Sequence, residues 1–197
     1  MKNIIIYDCE IIKAIPKKNE EKILNIEYCQ GWDDHKNMGV SVMCAYDYLY
    51  DSYHVYCEDN KEEFAKILAE RKPLCAGFNN IKFDNALLSS SDWPFPSDSD
   101  CYDLLREIWI AAGFGVEFNF ETHTGYGLDI MCKTNFGTEK NGNGAMAPVL
   151  WQQGRIGEVI NYCLNDIKLT KQLFDEVLAG NALKNPKGGD LVLRVPY

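Results

Sequence analysis

The sequence lacks the features of membrane proteins and of zinc-binding proteins. Its longest apolar runs are far too short to cross a bilayer, and the N-terminal segment lacks the long apolar stretch of a signal peptide. The eight cysteines stand apart and form no C-x-x-C pair, so a zinc knuckle is not expected. Most lie in apolar runs, where a free cysteine behaves as a small hydrophobic residue. We therefore expect a reduced, cytoplasmic protein that does not bind a membrane.

Positive charge is also scarce. The chain has 20 lysines and arginines against 29 aspartates and glutamates, a formal net charge of −9. This balance argues against a protein that coats nucleic acid with a basic surface. It is compatible with an enzyme that handles phosphates through metal ions, because bound cations reverse the local sign of a carboxylate cluster.

The length and composition fit a single globular domain. The chain has 197 residues, of which 46% are hydrophobic and 25% charged, enough for a sizeable core. No internal repeat or interdomain linker is recognisable. We expect one domain over residues 1–180, followed by a C-terminal tail at residues 181–197 whose LVLRVPY segment is a candidate edge strand.

The apolar patterns predict an α/β fold. The continuous apolar run at residues 3–7 predicts a central strand that is buried on both faces. Alternating residues predict an antiparallel meander after it, with strands at residues 23–32, 39–50 and 53–57. The rest of the chain predicts one short strand at residues 73–79 and helices at residues 59–72, 80–90, 103–113, 128–137 and 155–179. Together these elements predict a mixed β-sheet flanked by helices.

Two carboxylates follow the first strand in the segment IIIYDCE. Asp8 and Glu10 are two residues apart, so their side chains point to the same face of the strand. They stand near the C-terminal end of the strand, where open α/β sheets bind ligands. The alternative is a strand end that emerges into water with two solvated acids.

Two further segments carry acids in unusual positions. Asp84 follows a buried strand and begins a helix, where an acid can also simply complement the helix dipole. Tyr162 and Asp166 are four residues apart and therefore neighbours on one face of the last helix. Asp166 lies in line with leucines on that face, which is difficult to explain for a solvated residue.

The order of these motifs resembles the DEDD superfamily of 3′–5′ exonucleases. The resemblance consists of D-x-E at the end of the first strand, N-x-x-F-D at the start of a helix and Y-x-x-x-D on the last long helix. The tyrosine in the third motif is similar to the DEDDy branch, which includes the proofreading domains of DNA polymerases. The pattern extends from residue 4 to residue 170, nearly the whole chain.

The resemblance implies a ribonuclease H-like fold and a metal-dependent hydrolase. It implies removal of nucleotides from single-stranded or frayed 3′ ends, with DNA slightly favoured over RNA, by two divalent ions, Mg²⁺ or Mn²⁺. Asp8 would contact both ions, and Tyr162 would orient the attacking water. The remaining metal ligands would be Glu10, Asp84 and Asp166.

Four more residues are candidates for substrate binding. Asn80 could contact the terminal nucleotide or cap the following helix, and Phe83 could support a base or belong to the core. Lys140 and Arg155 flank the predicted flexible loop before the last helix and could bind phosphates, although isolated basic residues are usually solvated. Asp103 is predicted to cap the helix at residues 103–113.

Two other functions are compatible with the sequence. One is a non-catalytic nucleic-acid-binding domain of the same fold, and the other is a structure-selective endonuclease. The intact set of four acids and one tyrosine favours catalysis over binding alone. The Y-x-x-x-D motif on a helix favours the exonuclease over the endonuclease.

Overall fold

The protein is built around a five-stranded mixed sheet. The computed structural model describes residues 2–17, 21–138 and 144–196. The strands in chain order are β1 (Ile4–Ile11), β2 (Val40–Asp47), β3 (Ser52–Tyr56), β4 (Leu74–Gly77) and β5 (Cys101–Asp103). Their order in the sheet is β3-β2-β1-β4-β5, with antiparallel pairing from β1 to β3 and parallel pairing of β1 with β4 and of β4 with β5. The expected mixed α/β sheet with an antiparallel meander is therefore confirmed.

Helices cover both faces of the sheet. They are α1 (His35–Met38), α2 (Lys61–Arg71), α3 (Asp84–Ser90), α4 (Leu104–Ala111), α5 (Phe120–His123), α6 (Leu128–Phe136), α7 (Ala147–Gln152) and α8 (Ile156–Leu178). The five helices expected from the sequence correspond to α2, α3, α4, α6 and α8. The short helices α1, α5 and α7 were not expected. Among the described residues, no helix has both the length and the apolar character required to cross a membrane.

The central strand is buried on both sides, as its sequence predicts. Ile4 and Ile6 belong to the core beneath α4, α6 and α8, which we call the α8 side of the sheet. Ile5 and Tyr7 belong to the core beneath α2 and α3 on the opposite side. Alternate side chains of a strand point to opposite faces, so a strand covered on both faces must be apolar at every position.

The prediction of a strand at residues 23–32 is wrong. In this segment the structure contains only an isolated bridge between Ala14 and Tyr28, and the meander consists of β1, β2 and β3. Leu24 is 84% exposed, so the alternation of residue types does not correspond to a buried face. The described part of the connection from β1 to β2 instead contributes Ile15, Pro16, Lys17 and Trp32 to the wall of a cavity described below.

Within the described residues, the C-terminal tail adds no edge strand to the five-stranded sheet. The tail contains β6 (Leu183–Lys184) and β7 (Asp190–Leu191), which pair with each other in a separate two-stranded antiparallel sheet. Leu183, Leu191 and Leu193 are buried in the core on the α8 side. The apolar residues of the tail thus cover helices rather than extend the sheet, and the tail shares the core of the domain.

All eight cysteines lie in the described residues, and none of them forms a disulfide. Six are buried, and Cys57 and Cys101 are half-buried. This agrees with the expectation that most of them fill the core.

Candidate active site

The two carboxylates of β1 lie on the α8 side of the sheet. Asp8 and Glu10 follow Ile4 and Ile6 in alternation, and they lie opposite Cys44 and Val42 of β2. Asp8 is half-buried and Glu10 is only 8% exposed. The pair therefore occupies positions that would otherwise belong to the core, which does not fit two solvated acids at a strand end.

Asp84 reaches the same region from the next parallel strand. β1 pairs with β4 only as far as Ile6, so the backbone of β1 beyond that point needs other partners. Asp84 Oδ1 accepts a hydrogen bond of 2.9 Å from the backbone N–H of Cys9. The side chain of Asp84 is 3% exposed and makes this bond to the strand, whereas no side-chain bond caps α3.

The electrostatic environment of Asp84 is unfavourable for its charged form. Burial raises the pKa of Asp84 well above its usual range, and the negative charge of Asp8 raises it further. The hydrogen bond from Cys9 lowers the pKa but does not outweigh these two effects. Neighbouring buried carboxylates repel one another, and a bound cation would remove that repulsion.

Helix α8 supplies the remaining predicted residues. Tyr162 and Asp166 lie one turn apart, and Asp166 is 6% exposed. Both line a cavity of about 590 Å³ that is also lined by Asp8, Glu10 and Asp84. The structure thus brings together the five residues of the three motifs from an internal strand, a helix start and a distant helix.

Cys163 is a site residue that sequence reasoning missed. Its thiol donates a hydrogen bond of 3.3 Å to the backbone carbonyl of Asp8. Possible ligand atoms of Asp8, Glu10 and Cys163 lie within 4.8 Å of one another, so this group can hold a metal ion. The apolar runs predicted a core role for most of the cysteines, and only the position of Cys163 between Tyr162 and Asp166 could have indicated a role at the site.

The chemistry of this group favours a hard cation. Burial raises the pKa of the Cys163 thiol well above its usual range, which favours the protonated thiol that donates to the carbonyl of Asp8. The other donors around the cavity are the carboxylates of Asp8, Glu10, Asp84 and Asp166. Mg²⁺ and Mn²⁺ prefer carboxylate oxygen, so the residues present fit these ions.

Asn80 does not reach the cavity. Its side chain is fully buried, and Nδ2 donates a hydrogen bond of 3.1 Å to the hydroxyl oxygen of Tyr7. A Cβ placed on Gly77 would lie 2.6 Å from the Cβ of Asn80, so only glycine allows Asn80 to pack there. Neither of the roles expected for the Asn80 side chain, nucleotide contact or helix cap, matches this position.

The two basic candidates are not part of the described site. Arg155 lies outside the cavity lining and forms an exposed ion pair with Glu158, in which Nε and Oε1 are 2.6 Å apart. Lys140 lies outside the residues that the structure describes.

Aromatic residues form the wall of the cavity. Phe83 is half-buried and lines the cavity, and its ring centre is 6.1 Å from that of Trp32 and 5.6 Å from that of His35. Trp32 also lines the cavity and was missed, because it lies in the segment predicted as a strand. A Cβ placed on Gly144 would lie 2.9 Å from the hydroxyl oxygen of Tyr162, so glycine permits this close approach.

Asp103 holds the loop that precedes Asp84. The predicted helix cap is confirmed, since Asp103 accepts hydrogen bonds from the N–H groups of Leu105 and Arg106. It also accepts hydrogen bonds of 3.0 Å and 3.3 Å from the N–H groups of Asn79 and Ile81. Asn79 has a φ of 66°, a left-handed conformation that these bonds help to maintain. One buried carboxylate therefore links β5 and α4 to the loop that enters α3.

No protein-family model matches the chain, and no curated protein matches it. The functional interpretation therefore rests on the geometry of the cavity and on the motifs that line it.

Proposed function

We propose that the protein is a metal-dependent 3′–5′ exonuclease of the DEDDy type with a ribonuclease H-like fold. The observation that carries this proposal is that Asp8, Glu10, Asp84, Tyr162 and Asp166 line a single cavity of about 590 Å³. These residues come from three separated segments of the chain, and their convergence would be unexpected for acids that only solvate a surface. The proposed substrate is a single-stranded or frayed 3′ end, with DNA hydrolysed somewhat faster than RNA.

The sheet supports the fold part of the proposal. An antiparallel meander joined to two parallel strands, in the order β3-β2-β1-β4-β5, is compatible with the ribonuclease H-like fold that the motifs imply. The acids cluster where the central strand β1 extends past the end of β4. Open α/β sheets bind their ligands beyond the carboxyl ends of such strands.

The residues of the site divide the proposed chemistry among them. Asp8, Glu10, Asp84 and Asp166 would hold two divalent ions, which when bound supply an activated water and stabilise the leaving oxygen of the phosphodiester. The hydroxyl of Tyr162 orients the attacking water, and Gly144 leaves it the room to do so. Cys163 fixes the backbone of Asp8 through its hydrogen bond to the carbonyl.

The experiment compares end-labelled single-stranded DNA and RNA of one sequence. We expect mononucleotides to be released from the 3′ end with Mg²⁺ or Mn²⁺ and no hydrolysis with excess EDTA. A 3′-blocked strand should resist, and Asp166→Asn protein, purified in parallel, should be inactive and so exclude a contaminating nuclease. Hydrolysis that persists in EDTA would contradict the metal-dependent mechanism.

The same experiment separates the two alternative functions. A covalently closed single-stranded circle has no 3′ end, so an exonuclease cannot degrade it. Cleavage of the circle at the rate of the linear strand would identify an endonuclease. Binding of both strands without hydrolysis under any metal condition would identify a non-catalytic nucleic-acid-binding domain.

A further inference from the structure

A second cavity adjoins the candidate active site. Its volume is about 560 Å³, and Trp32, Asn79 and Phe83 line both cavities. The rest of its lining includes Phe118 and residues 123–127, which follow α4. We call this second cavity the aromatic groove. The shared residues place the groove next to the acidic cavity, so the groove is the nearest described surface for the part of a strand that precedes a 3′ end among the acids.

The walls of the groove present aromatic rings to solvent. Trp32 is 69% exposed and Phe118 is 50% exposed, although both are large apolar side chains. Phe83 is half-buried and adds a third ring to the lining, whereas Trp109 and Tyr126 are buried and form its base. Exposed rings in a cleft form a platform on which the flat face of any base can stack.

The charges of the groove favour a base over a phosphate. Lys82 lines the groove, and within the described parts of the chain its ammonium group makes no ion pair. Asp33 also lines the groove, so the charge of Lys82 is balanced by that of one aspartate. With little net charge, the affinity of the groove would come from stacking, with Lys82 available to one passing phosphate.

The wall that carries Phe118 is held by a buried histidine. His123 is 6% exposed, and its Nδ1 accepts a hydrogen bond of 3.3 Å from the N–H of Asn119. Nε2 then carries the proton and donates to the carbonyl of Gly115 at 2.9 Å. The ring of Trp109 packs against His123 with centres 4.6 Å apart. Phe118 is therefore presented on a preorganised wall, which reduces the entropy lost when a ligand binds.

We propose that the aromatic groove binds unpaired bases of the substrate strand, on the 5′ side of the nucleotide that is removed. This inference rests on the proposed exonuclease function and specifies its substrate as a single strand of several nucleotides. Bases in a duplex are already stacked and paired, so they cannot enter the groove. Substrates of one or two nucleotides would fill the acidic cavity alone and would bind more weakly.

The test places a single abasic residue at each of the last five positions of a fluorescent single-stranded oligonucleotide. Binding is measured by fluorescence anisotropy with Ca²⁺ in place of Mg²⁺. For the unmodified protein, we expect the abasic residue to weaken binding roughly 5- to 100-fold at one or two positions upstream of the terminal nucleotide, the loss that one stacked base accounts for.

Substitutions in the wall test whether this loss of binding affinity arises in the groove. Phe118→Leu keeps an apolar side chain but removes the ring, so the abasic residue should no longer weaken binding. Phe118→Tyr keeps the ring and should behave like the unmodified protein. Phe120→Ala is the matched control, because Phe120 is 77% exposed in the same segment but does not line the groove. Thermal melting of each variant checks that the fold is retained.

The outcomes separate this inference from the exonuclease proposal. Metal-dependent hydrolysis with equal binding of all abasic substrates would overturn the groove assignment alone. An abasic effect that survives in Phe118→Leu, or disappears equally in Phe120→Ala, would overturn it as well. An abasic effect that needs Phe118, without hydrolysis under any metal condition, would support the groove and overturn the exonuclease proposal.

Discussion

The two helices that follow the parallel strands β4 and β5 each have a buried aspartate at their start, and the two aspartates have different roles. Asp84 follows β4 at the start of α3, and Asp103 ends β5 at the start of α4. Each side chain is 3% exposed. Asp103 accepts hydrogen bonds from four backbone N–H groups, whereas Asp84 accepts one from the central strand and lines the acidic cavity.

The difference lies in what surrounds each carboxylate. Burial raises the pKa of both, but around Asp103 the backbone N–H groups of Asn79, Arg106 and Ile81 oppose that rise. Around Asp84 the nearby Asp8 carboxylate adds to it. A buried acid among amide donors stabilises a fold, and a buried acid among other acids is suited to a cation. The two are also connected, because Asp103 holds the loop that leads to Asp84.

The largest expected effect is the loss of activity in Asp84→Asn. Removing a metal ligand should reduce hydrolysis at saturating Mg²⁺ at least roughly 10²–10³-fold, the range measured for single electrostatic groups in active sites. The amide can still accept the hydrogen bond from Cys9, so the fold should remain. Single-turnover cleavage of a 3′-labelled strand measures the change, and full activity in this variant would show that Asp84 is only structural.

The same substitution, which should lower activity, should not lower the stability of the metal-free protein. Because the folded pKa of Asp84 is raised, the folded state keeps a proton that the unfolded state has lost, so metal-free stability falls as the pH rises above about 4. Asp84→Asn should remove this contribution and melt at the same or a higher temperature than the unmodified protein at neutral pH without metal. A clearly lower melting temperature would contradict the repulsion inferred at the site.

Asp103→Ala should mainly destabilise the protein. It removes a helix cap, worth about 1 kcal/mol, and leaves two buried N–H groups without an acceptor at about 1 kcal/mol or more each. We expect the free energy of unfolding in urea to fall by about 3 kcal/mol. The matched control is Asp59→Ala, an exposed aspartate before α2, which should change stability by less than about 0.5 kcal/mol. An equal loss in the free energy of unfolding in Asp103→Ala and Asp59→Ala would show that Asp103 stabilises the protein no more than an exposed acid does.

Tyr162→Phe tests whether the Tyr162 hydroxyl takes part in the reaction or whether the side chain only lines the cavity. The ring and its packing stay, and only the hydroxyl that orients water is removed. We expect turnover to fall roughly 10- to 100-fold at saturating metal, within the range of positioning effects, with unchanged metal affinity and melting temperature. An unchanged rate would return Tyr162 to a packing role and leave the acids alone as the site.

Asp47 is a third buried aspartate, and unlike Asp84 and Asp103 it has a close ion pair with a half-buried arginine side chain. Asp47 is 1% exposed and accepts a hydrogen bond of 3.0 Å from Nη2 of Arg71. Burial raises its pKa, but the bonds from Arg71 and from the Leu49 N–H outweigh burial and lower it. Its contribution is therefore present above the unfolded pKa of about 4 and is lost as the pH falls through the lower folded value.

The expected effect of Asp47→Asn is the smallest. The amide keeps one hydrogen bond to Arg71, so the loss should be about 1 kcal/mol at neutral pH and should shrink towards about pH 3. Urea denaturation of both proteins at the two pH values measures it. A difference that grows on acidification would mean that the Arg71 pair does not lower the pKa of Asp47.

Much of the fold follows from local patterns in the chain. The apolar run of β1, the alternation in β2 and β3 and the helical spacing in α8 each identify an element, because burial of one or both faces imposes a period on the residues. The same reasoning failed at residues 23–32, where the alternation exists but no neighbouring strand covers it. Pairing depends on distant partners that a local pattern does not contain.

The sequence by itself determined the acids of the three motifs and the elements that carry them, since residue type and periodicity are local properties. Only the tertiary structure decided that Asp84 faces Asp8 while Asp103 faces amide groups, and that Asn80 turns inward to Tyr7. It also brought Cys163 and Trp32 to the site. These contacts join residues far apart in the chain, and their geometry depends on how strands and helices pack together, which no single segment specifies.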